Sequence, residues 1–183
     1  MSYIEGRRER VEQKNNEISR DIVNHGGTIL ASQEFQQAFD ETHHVKGSVS
    51  DHSMTVCILV ARICWLLRKN GIDVNYKALI QAALCHDLGM LSRDDLYHKR
   101  TDSWRDHPEY SVNIARELVP DLSRDAEDAI ASHMWPVSGD YPRTKQDVIL
   151  NVADKVATVA DWVFFLTGKQ IGSDIRENVD RLS

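Results

Sequence analysis

Ionisable side chains recur at positions where the predicted helices of this chain otherwise carry apolar residues. His52 lies four residues before Val56 on the apolar face of one predicted helix, and Asp87 lies three residues after Leu84 on the apolar face of the next. His133 and Asp154 continue the apolar faces of two later segments in the same way. A titratable group on a buried face needs a hydrogen-bonding partner, an opposite charge or a metal ion. The chain must therefore fold so that these groups pair with one another or bind a common metal ion.

The apolar residues follow a helical period along the chain, and no alternating strand pattern or repeat is present. The sequence therefore predicts an all-α fold. In the first half of the chain, the sequence predicts a helix that breaks at His25-Gly26-Gly27, a short helix from Ser32 to Phe39, a helix capped by Ser48 or Ser50 that stops at Asn70-Gly71, and a helix capped by Asn75 that stops at Gly89. A polar loop over residues 90–105 follows. The second half is predicted to contain a helix that starts at Asp106-His107-Pro108-Glu109 with the proline in the first turn, helices capped by Ser123 and by Thr144 with Asp147, and a last segment from Ser173 to Leu182.

The composition limits the functions that the chain can serve. Its net charge is −6 and its pI is about 5.7, so no broad nucleic-acid surface is expected. Cys57, Cys64 and Cys85 lie within apolar helical patterns, and we interpret them as core residues in a reducing compartment. No signal peptide and no run of about 18 apolar residues is apparent, so we expect a cytoplasmic protein without a membrane partner.

Several buried imidazoles and carboxylates together favour a metal site over a set of unrelated core residues. A divalent cation binds neutral imidazole and ionised carboxylate, and the helices of a bundle can direct both at one centre. The predicted ligands are His52, His86, Asp87, His107, His133 and Asp154. Because imidazoles dominate this set, we expect one or two divalent transition-metal ions, with manganese, iron, cobalt, nickel or zinc as candidates.

The order His52, His86-Asp87 and Asp154-Lys155 resembles the metal-binding signature of the HD-domain phosphohydrolase superfamily. The resemblance implies that these ligands hold one ion, whereas Asp87, His107 and His133 hold a second, with Asp87 as the bridge. His107 and His133 are similar to positions in two-metal subgroups, such as the HD-GYP phosphodiesterases and the symmetrical diadenosine tetraphosphate hydrolases. The resemblance also implies an HD-domain helical bundle over residues 43–172, preceded by a helical extension over residues 1–42 and followed by a short C-terminal helix over residues 173–183, in one globular unit.

The resemblance implies a phosphohydrolase that uses a metal-activated water on a phosphomonoester, phosphodiester or phosphoanhydride of a nucleotide or another small phosphorylated metabolite. Gly139-Asp140-Tyr141-Pro142 departs from the Gly-Tyr-Pro signature, which disfavours a cyclic dinucleotide. The catalytic candidates are His86, Asp87 and Lys155, the last of which matches a commonly basic position of the superfamily. The candidates for binding the substrate are Lys46, His98, Lys99, Arg100 and Arg143.

Other histidines and carboxylates have smaller predicted roles. We expect His43 and His44, which precede the first ligand helix, to contact the metal ligands without binding the ion, and His25 to lie at the surface. Asp94 and Asp95 are weaker candidates for an acid that protonates the leaving group. Two other functions are open on the sequence: a non-catalytic sensor that binds a metal or a nucleotide with the same fold, and a purely structural helical protein. The oligomeric state is also open, with a homodimer as one alternative.

Overall fold

The computed structural model describes residues 3–39, 42–43, 47–91, 100–137, 140–168 and 170–183. Within these ranges the regular secondary structure is helical apart from two antiparallel strands of two residues, which confirms the predicted all-α class. The elements are α1 (Tyr3–Leu30), α2 (Gln33–Gln37), β1 (Thr42–His43), β2 (Gly47–Ser48), α3 (Val49–Lys69), α4 (Tyr76–Cys85), a 3₁₀ turn (Leu88–Met90), α5 (Arg100–Leu118), α6 (Arg124–Ser132), α7 (Lys145–Thr167) and α8 (Ser173–Leu182).

Helix α3 forms the centre of the bundle and packs against α1, α4 and α7. The Ser48 hydroxyl caps it by accepting a hydrogen bond from the Asp51 amide, as one of the two predicted caps. Asn70 ends it, and Gly71 follows with a φ of 75°. By length and mean hydropathy α3 is the one described helix that could cross a membrane, but 67% of its most apolar stretch is buried in the fold.

Helix α1 does not end at His25-Gly26-Gly27, as the glycine pair had predicted, but continues to Leu30. Gly26 lies against α4, where a Cβ atom would meet the Leu84 Cδ1 at 2.3 Å. The glycine therefore permits close packing of two helices and does not break one of them. His25 is not fully exposed either, because it lies half-buried with its ring edge-on to Tyr76, at 5.8 Å between centroids.

Helix α5 begins well before the predicted start at Asp106, and the predicted loop over residues 90–105 is already helical from Arg100. Pro108 therefore lies inside the helix, although it cannot donate to the carbonyl four residues earlier. Helix α4 ends at Cys85, earlier than the predicted stop at Gly89, so that His86 and Asp87 lie in the turn that follows it. The first departure concerns where a helix begins and the second where one ends, and tertiary contacts decide such boundaries more than local signals do.

The remaining helix signals agree with the structure. Asn75 caps α4 and Ser123 caps α6, while Thr144 and Asp147 form a reciprocal capping box at the start of α7. Helix α8 packs on α1, where the Ser19 hydroxyl donates to the Ile175 carbonyl at 3.3 Å. The predicted division at residues 42 and 172 stays a prediction.

The three cysteines are buried and unpaired with one another. Burial raises the pKa of the Cys64 and Cys85 thiols to about 12 and that of Cys57 still further. Thiols with such pKa values are neutral and unreactive at physiological pH, so these residues contribute to packing.

Candidate metal centre

The ends of three helices and the middles of two others bring the six predicted ligands into one buried centre. No ligand is more than 8% exposed. His52 lies in α3, and His86 and Asp87 lie in the turn after α4. His107 lies in α5, His133 lies in the turn after α6, and Asp154 lies in α7. Their side chains form two adjacent groups, which we call cluster A and cluster B.

Cluster A consists of His52, His86 and Asp154. The ligand atoms of these three residues lie within 4.8 Å of one another. The Asp154 Oδ1 atom is 3.0 Å from the Nε2 atom of His52 and 3.8 Å from the Nε2 atom of His86. Two imidazoles and one carboxylate at such separations are a donor set that suits a divalent transition metal.

Cluster B consists of His107, His133 and one oxygen of Asp87. The two imidazole Nε2 atoms face each other at 3.0 Å. Asp87 Oδ1 lies 3.1 Å from His107 Nε2 and 3.3 Å from His133 Nε2. These three ligand atoms therefore converge on one point. That point is close enough to cluster A for the carboxylate group of Asp87 to reach both clusters.

Asp87 faces both clusters with different oxygens. Its Oδ2 atom lies 3.4 Å from His86 Nε2 and 3.9 Å from His52 Nε2, while its Oδ1 atom faces His107 and His133. A carboxylate in this position can bridge two ions. The geometry thus agrees with the bridging role that the resemblance implies for Asp87, although the roles of the ligands stay predictions.

The helix ends fix the tautomers of two ligand histidines. His86 and His133 each follow the last residue of a helix, where carbonyl groups lack helical partners. The Nδ1 atom of His86 donates to the Ala83 carbonyl at 2.9 Å, and that of His133 donates to the Ile130 carbonyl at 2.7 Å. Each ring therefore turns its Nε2 lone pair toward the centre, as metal-ligating histidines do.

One buried atom of this centre lacks a hydrogen bond to any residue that the structure describes. His86 Nε2 has no hydrogen-bonding partner within the part of the chain that the structure describes, and the residue is fully buried. Such an atom is costly unless something else satisfies it. A cation held by His52, His86 and Asp154 would do so, and the residues therefore fit the divalent metal that the donor set suggests.

A model of the HD domain family matches residues 49–159, which is more than half of the chain and includes every ligand of both clusters. The chain belongs to the HD domain family. A solved structure of a conserved hypothetical protein from Pyrococcus furiosus is similar to this chain at 18% identity, covering 85% of this chain and 87% of that protein with a TM-score of 0.49. No curated protein matched the sequence.

In this HD domain, two imidazoles of cluster A carry different charges. Burial alone would lower the pKa of His52, but hydrogen bonds to Asp154 and Asp161 and the charge of Asp87 outweigh it and raise the pKa to about 10. Burial lowers the pKa of His86 to about 4. Burial would raise the pKa of Asp154, but its hydrogen bond with His52 holds that pKa well below its usual range. In the metal-free protein, His52 is therefore protonated, and its imidazolium carries the positive charge of cluster A.

Asp161 is a member of the site that the sequence did not predict. Its Oδ2 atom accepts a hydrogen bond from the Nδ1 atom of His52 at 2.7 Å, behind the ring that faces the cluster. Carboxylates in this position orient a ligand imidazole and raise its basicity. Asp161 follows Asp154 by seven residues, which places both on one face of α7, and this spacing was the available signal.

Asn151 and Lys155 fix the backbone that carries His133. The Asn151 amide donates to the His133 carbonyl at 2.7 Å and to the Trp135 carbonyl at 3.0 Å. Lys155 Nζ donates to the same His133 carbonyl at 2.9 Å and lies 3.6 Å from Asp154 Oδ2. The sequence did not predict the role of Asn151. The position of Lys155 beside both clusters is compatible with its predicted catalytic role, which stays a prediction.

Gly89 sets the distance between the turn that carries Asp87 and the helix that carries His107. A Cβ atom at Gly89 would meet the His107 carbonyl oxygen at 2.4 Å and the Ser111 amide nitrogen at 2.7 Å. The Gly89 amide instead donates to the Ser111 hydroxyl at 2.9 Å. Only a residue without a side chain permits this approach, so Gly89 serves the assembly of cluster B.

The predicted substrate-binding residues are mostly not described by the structure. Lys46, His98 and Lys99 lie outside the described residues, as do His44, Asp94 and Asp95. Arg100 begins α5, but its side chain is not described, and the same holds for His43 in β1. Arg143 is exposed and lies over the ring of Tyr141, 5.1 Å from its centroid. None of these residues is brought to the clusters by a described contact, and their roles stay predictions.

Proposed function

We propose that this HD-domain protein is a metal-dependent phosphohydrolase that cleaves a phosphate ester or anhydride of a nucleotide or another small phosphorylated metabolite. The observation that carries the proposal is the orientation of Asp87, whose two oxygens face two separate groups of imidazoles. A site that bound a single structural ion would need only one such group. Two adjacent ligand groups joined by one carboxylate are instead typical of centres that hydrolyse phosphate esters.

In this proposal, some residues bind the metal ions and others keep those ligands in position. His52, His86 and Asp154 would hold one ion, and His107 and His133 the other, with Asp87 shared. Bound there, divalent ions supply a nucleophilic water of lowered pKa and neutralise the charge of phosphoryl oxygens.

The residues outside the ligand set contribute orientation and charge. Asp161 keeps the His52 ring in its orientation, and Asn151 fixes the turn that carries His133. Lys155 brings a positive charge next to Asp154, and its side chain is 44% exposed, so an anionic substrate arriving from solvent can contact it. We expect this charge to favour binding of the phosphate group.

Hydrolysis of a panel of mono-, di- and cyclic nucleotides and of a generic phosphomonoester, with added manganese, tests the proposal. We expect phosphate release from at least one member, loss of that activity in Asp87→Ala, and no loss in Asp128→Asn, which changes a surface carboxylate paired with Arg124. Tight binding of metal without hydrolysis of any member would contradict the enzyme and favour the non-catalytic sensor. Activity that Asp87→Ala retains would place the reaction at another site.

A further inference from the structure

Helix α7 has an exposed apolar face that no described element of the fold covers. Five valines and one leucine on this face are between 47% and 74% exposed. We call them the valine stripe: Val148, Val152, Val156, Val159, Val163 and Leu166. Single exposed apolar residues are common on soluble proteins, whereas a contiguous row of six points to an interaction surface.

The stripe has the spacing of a helix-pairing seam. Its residues follow one another at intervals of four, four, three, four and three, and at 3.6 residues per turn they occupy an arc of about 80°. The stripe itself contains no charged residue. Asp154 and Asp161, which serve the metal centre, lie on the opposite side of the same helix. The metal centre therefore does not account for the stripe, whose spacing is that of a helix packed against another helix.

We propose that the valine stripe binds the same stripe of a second copy of the chain, with the two α7 helices antiparallel. A two-fold interface requires a patch that is complementary to itself. Antiparallel pairing about a point between Val156 and Val159 places these two residues opposite each other. It also places Val152 opposite Val163 and brings Val148 within one residue of the position opposite Leu166, so every member of the stripe meets an apolar residue.

The exposed area agrees with a dimer. Together with Trp162, which is 50% exposed at the edge of the stripe, the exposed side chains offer on the order of 700 Å² per copy, close to the ~800 Å² that each partner contributes to a standard interface. An uncharged, apolar centre and an accompanying tryptophan also agree with homodimer interfaces, which are more apolar than the rest of a protein surface and are enriched in aromatic residues.

The mass of the full chain in solution tests the dimer. By light scattering coupled to size exclusion, we expect a species of about twice 20.9 kDa. Val156→Glu should convert it to a monomer with an unchanged helical circular dichroism spectrum and metal content. Val11→Glu is the matched control, because Val11 is 50% exposed on α1, and this variant should stay dimeric. The proposal is overturned if the wild type is a monomer, even if that monomer binds lipid vesicles. It is also overturned if Val156→Glu remains a dimer.

A crosslink tests the antiparallel arrangement. The double substitution Val152→Cys with Val163→Cys places thiols 11 residues apart on one helix, about 16 Å, too far for a bond within one chain. Antiparallel pairing predicts that mild oxidation joins position 152 of one copy to position 163 of the other, as mass spectrometry of the digest can show. Crosslinks that join like positions, or no crosslink in a dimeric sample, overturn the arrangement. The native cysteines do not interfere because all three are buried.

Discussion

Clusters A and B are built from the same residue types but compensate their charges differently. In cluster A, His52 makes hydrogen bonds to two carboxylates, with Asp154 at 3.0 Å in front of the ring and Asp161 at 2.7 Å behind it. In cluster B, His107 and His133 face each other across 3.0 Å and share one oxygen of Asp87. Cluster A therefore places two carboxylates around one imidazole, whereas cluster B places two imidazoles around one carboxylate oxygen.

This difference indicates how the two clusters should behave. A cation entering cluster A meets an ionised Asp154 but has to displace a proton from His52. A cation entering cluster B meets less negative charge, and its ligands come from α5 and from the turns after α4 and α6, which are held together partly by Gly89 and by Asn151. We expect cluster A to retain its ion more firmly than cluster B does, and Asp87 to be needed by both.

The largest effect should come from Asp87→Asn, which removes charge from both clusters at once while preserving the shape of the side chain. We expect loss of bound metal from both and a decrease in hydrolysis of roughly a thousandfold or more, since metal ions contribute several kcal/mol to such reactions. Elemental analysis and phosphate release measure the two effects. Retention of one tightly bound ion in this variant would show that Asp87 belongs to a single cluster.

The paired variants His107→Ala and His52→Ala should separate the clusters. His107→Ala removes a ligand of cluster B alone, so we expect about one ion to be lost and the other to resist chelator. His52→Ala removes both the ligand and the proton of cluster A, and the ion that remains should be the more labile one. Metal content measured during dialysis against a chelator distinguishes the variants. Identical stoichiometry and lability in both would remove the distinction between A and B.

Substitution of Asp161 should weaken cluster A by an intermediate amount. Loss of a carboxylate behind a ligand imidazole typically costs about 10–100-fold in metal affinity or activity, and we expect Asp161→Ala to fall in that range. Asp161→Asn should recover part of the loss, because the amide oxygen still accepts from His52 Nδ1. Asp128→Asn serves as a control of similar exposure, with 44% of its side chain exposed against 38% for Asp161. An affinity unchanged in Asp161→Ala would show that this hydrogen bond does not support the ligand.

The smallest effect, counted per pH unit, is the pH dependence of metal binding to cluster A. The pKa of His52 is about 10 in the metal-free protein, so below that pH an entering ion displaces about one proton. The pKa of His86 is about 4, so this ring is already neutral and releases none between pH 6 and 8. The affinity in His107→Ala should therefore rise by up to about tenfold per pH unit over that window. Calorimetry in buffers of different ionisation enthalpy counts the proton, and a count of zero at pH 7 would contradict the charge assigned to His52.

Several elements of the fold follow from local signals in the sequence. Ser48, Asn75, Ser123 and Thr144 each cap a helix where an oxygen-bearing side chain precedes an apolar periodic run. The convergence of the ligands was also predictable, because buried ionisable groups on separate helices need one another. The caps could be predicted because each depends on residues that are close in sequence. The convergence of the ligands could be predicted because burying an uncompensated charge is costly.

Other features depend on contacts between distant segments and left no local signal. Helix α1 continues through Gly26 because Leu84, 58 positions later, packs where a side chain would lie. Helix α5 contains Pro108 although proline more often stands in a first turn. Asn151 resembles any polar residue on a helix until the carbonyls of His133 and Trp135 are placed beside it.

Metal stoichiometry of the purified chain tests the central claim most directly, namely that Asp87 joins two metal clusters. After saturation with manganese or zinc and removal of free ions, elemental analysis should give about two ions per chain for the wild type and about one for His107→Ala. A wild type that binds no ion under these conditions would contradict the metal centre. A value of about one that His107→Ala leaves unchanged would contradict the second cluster.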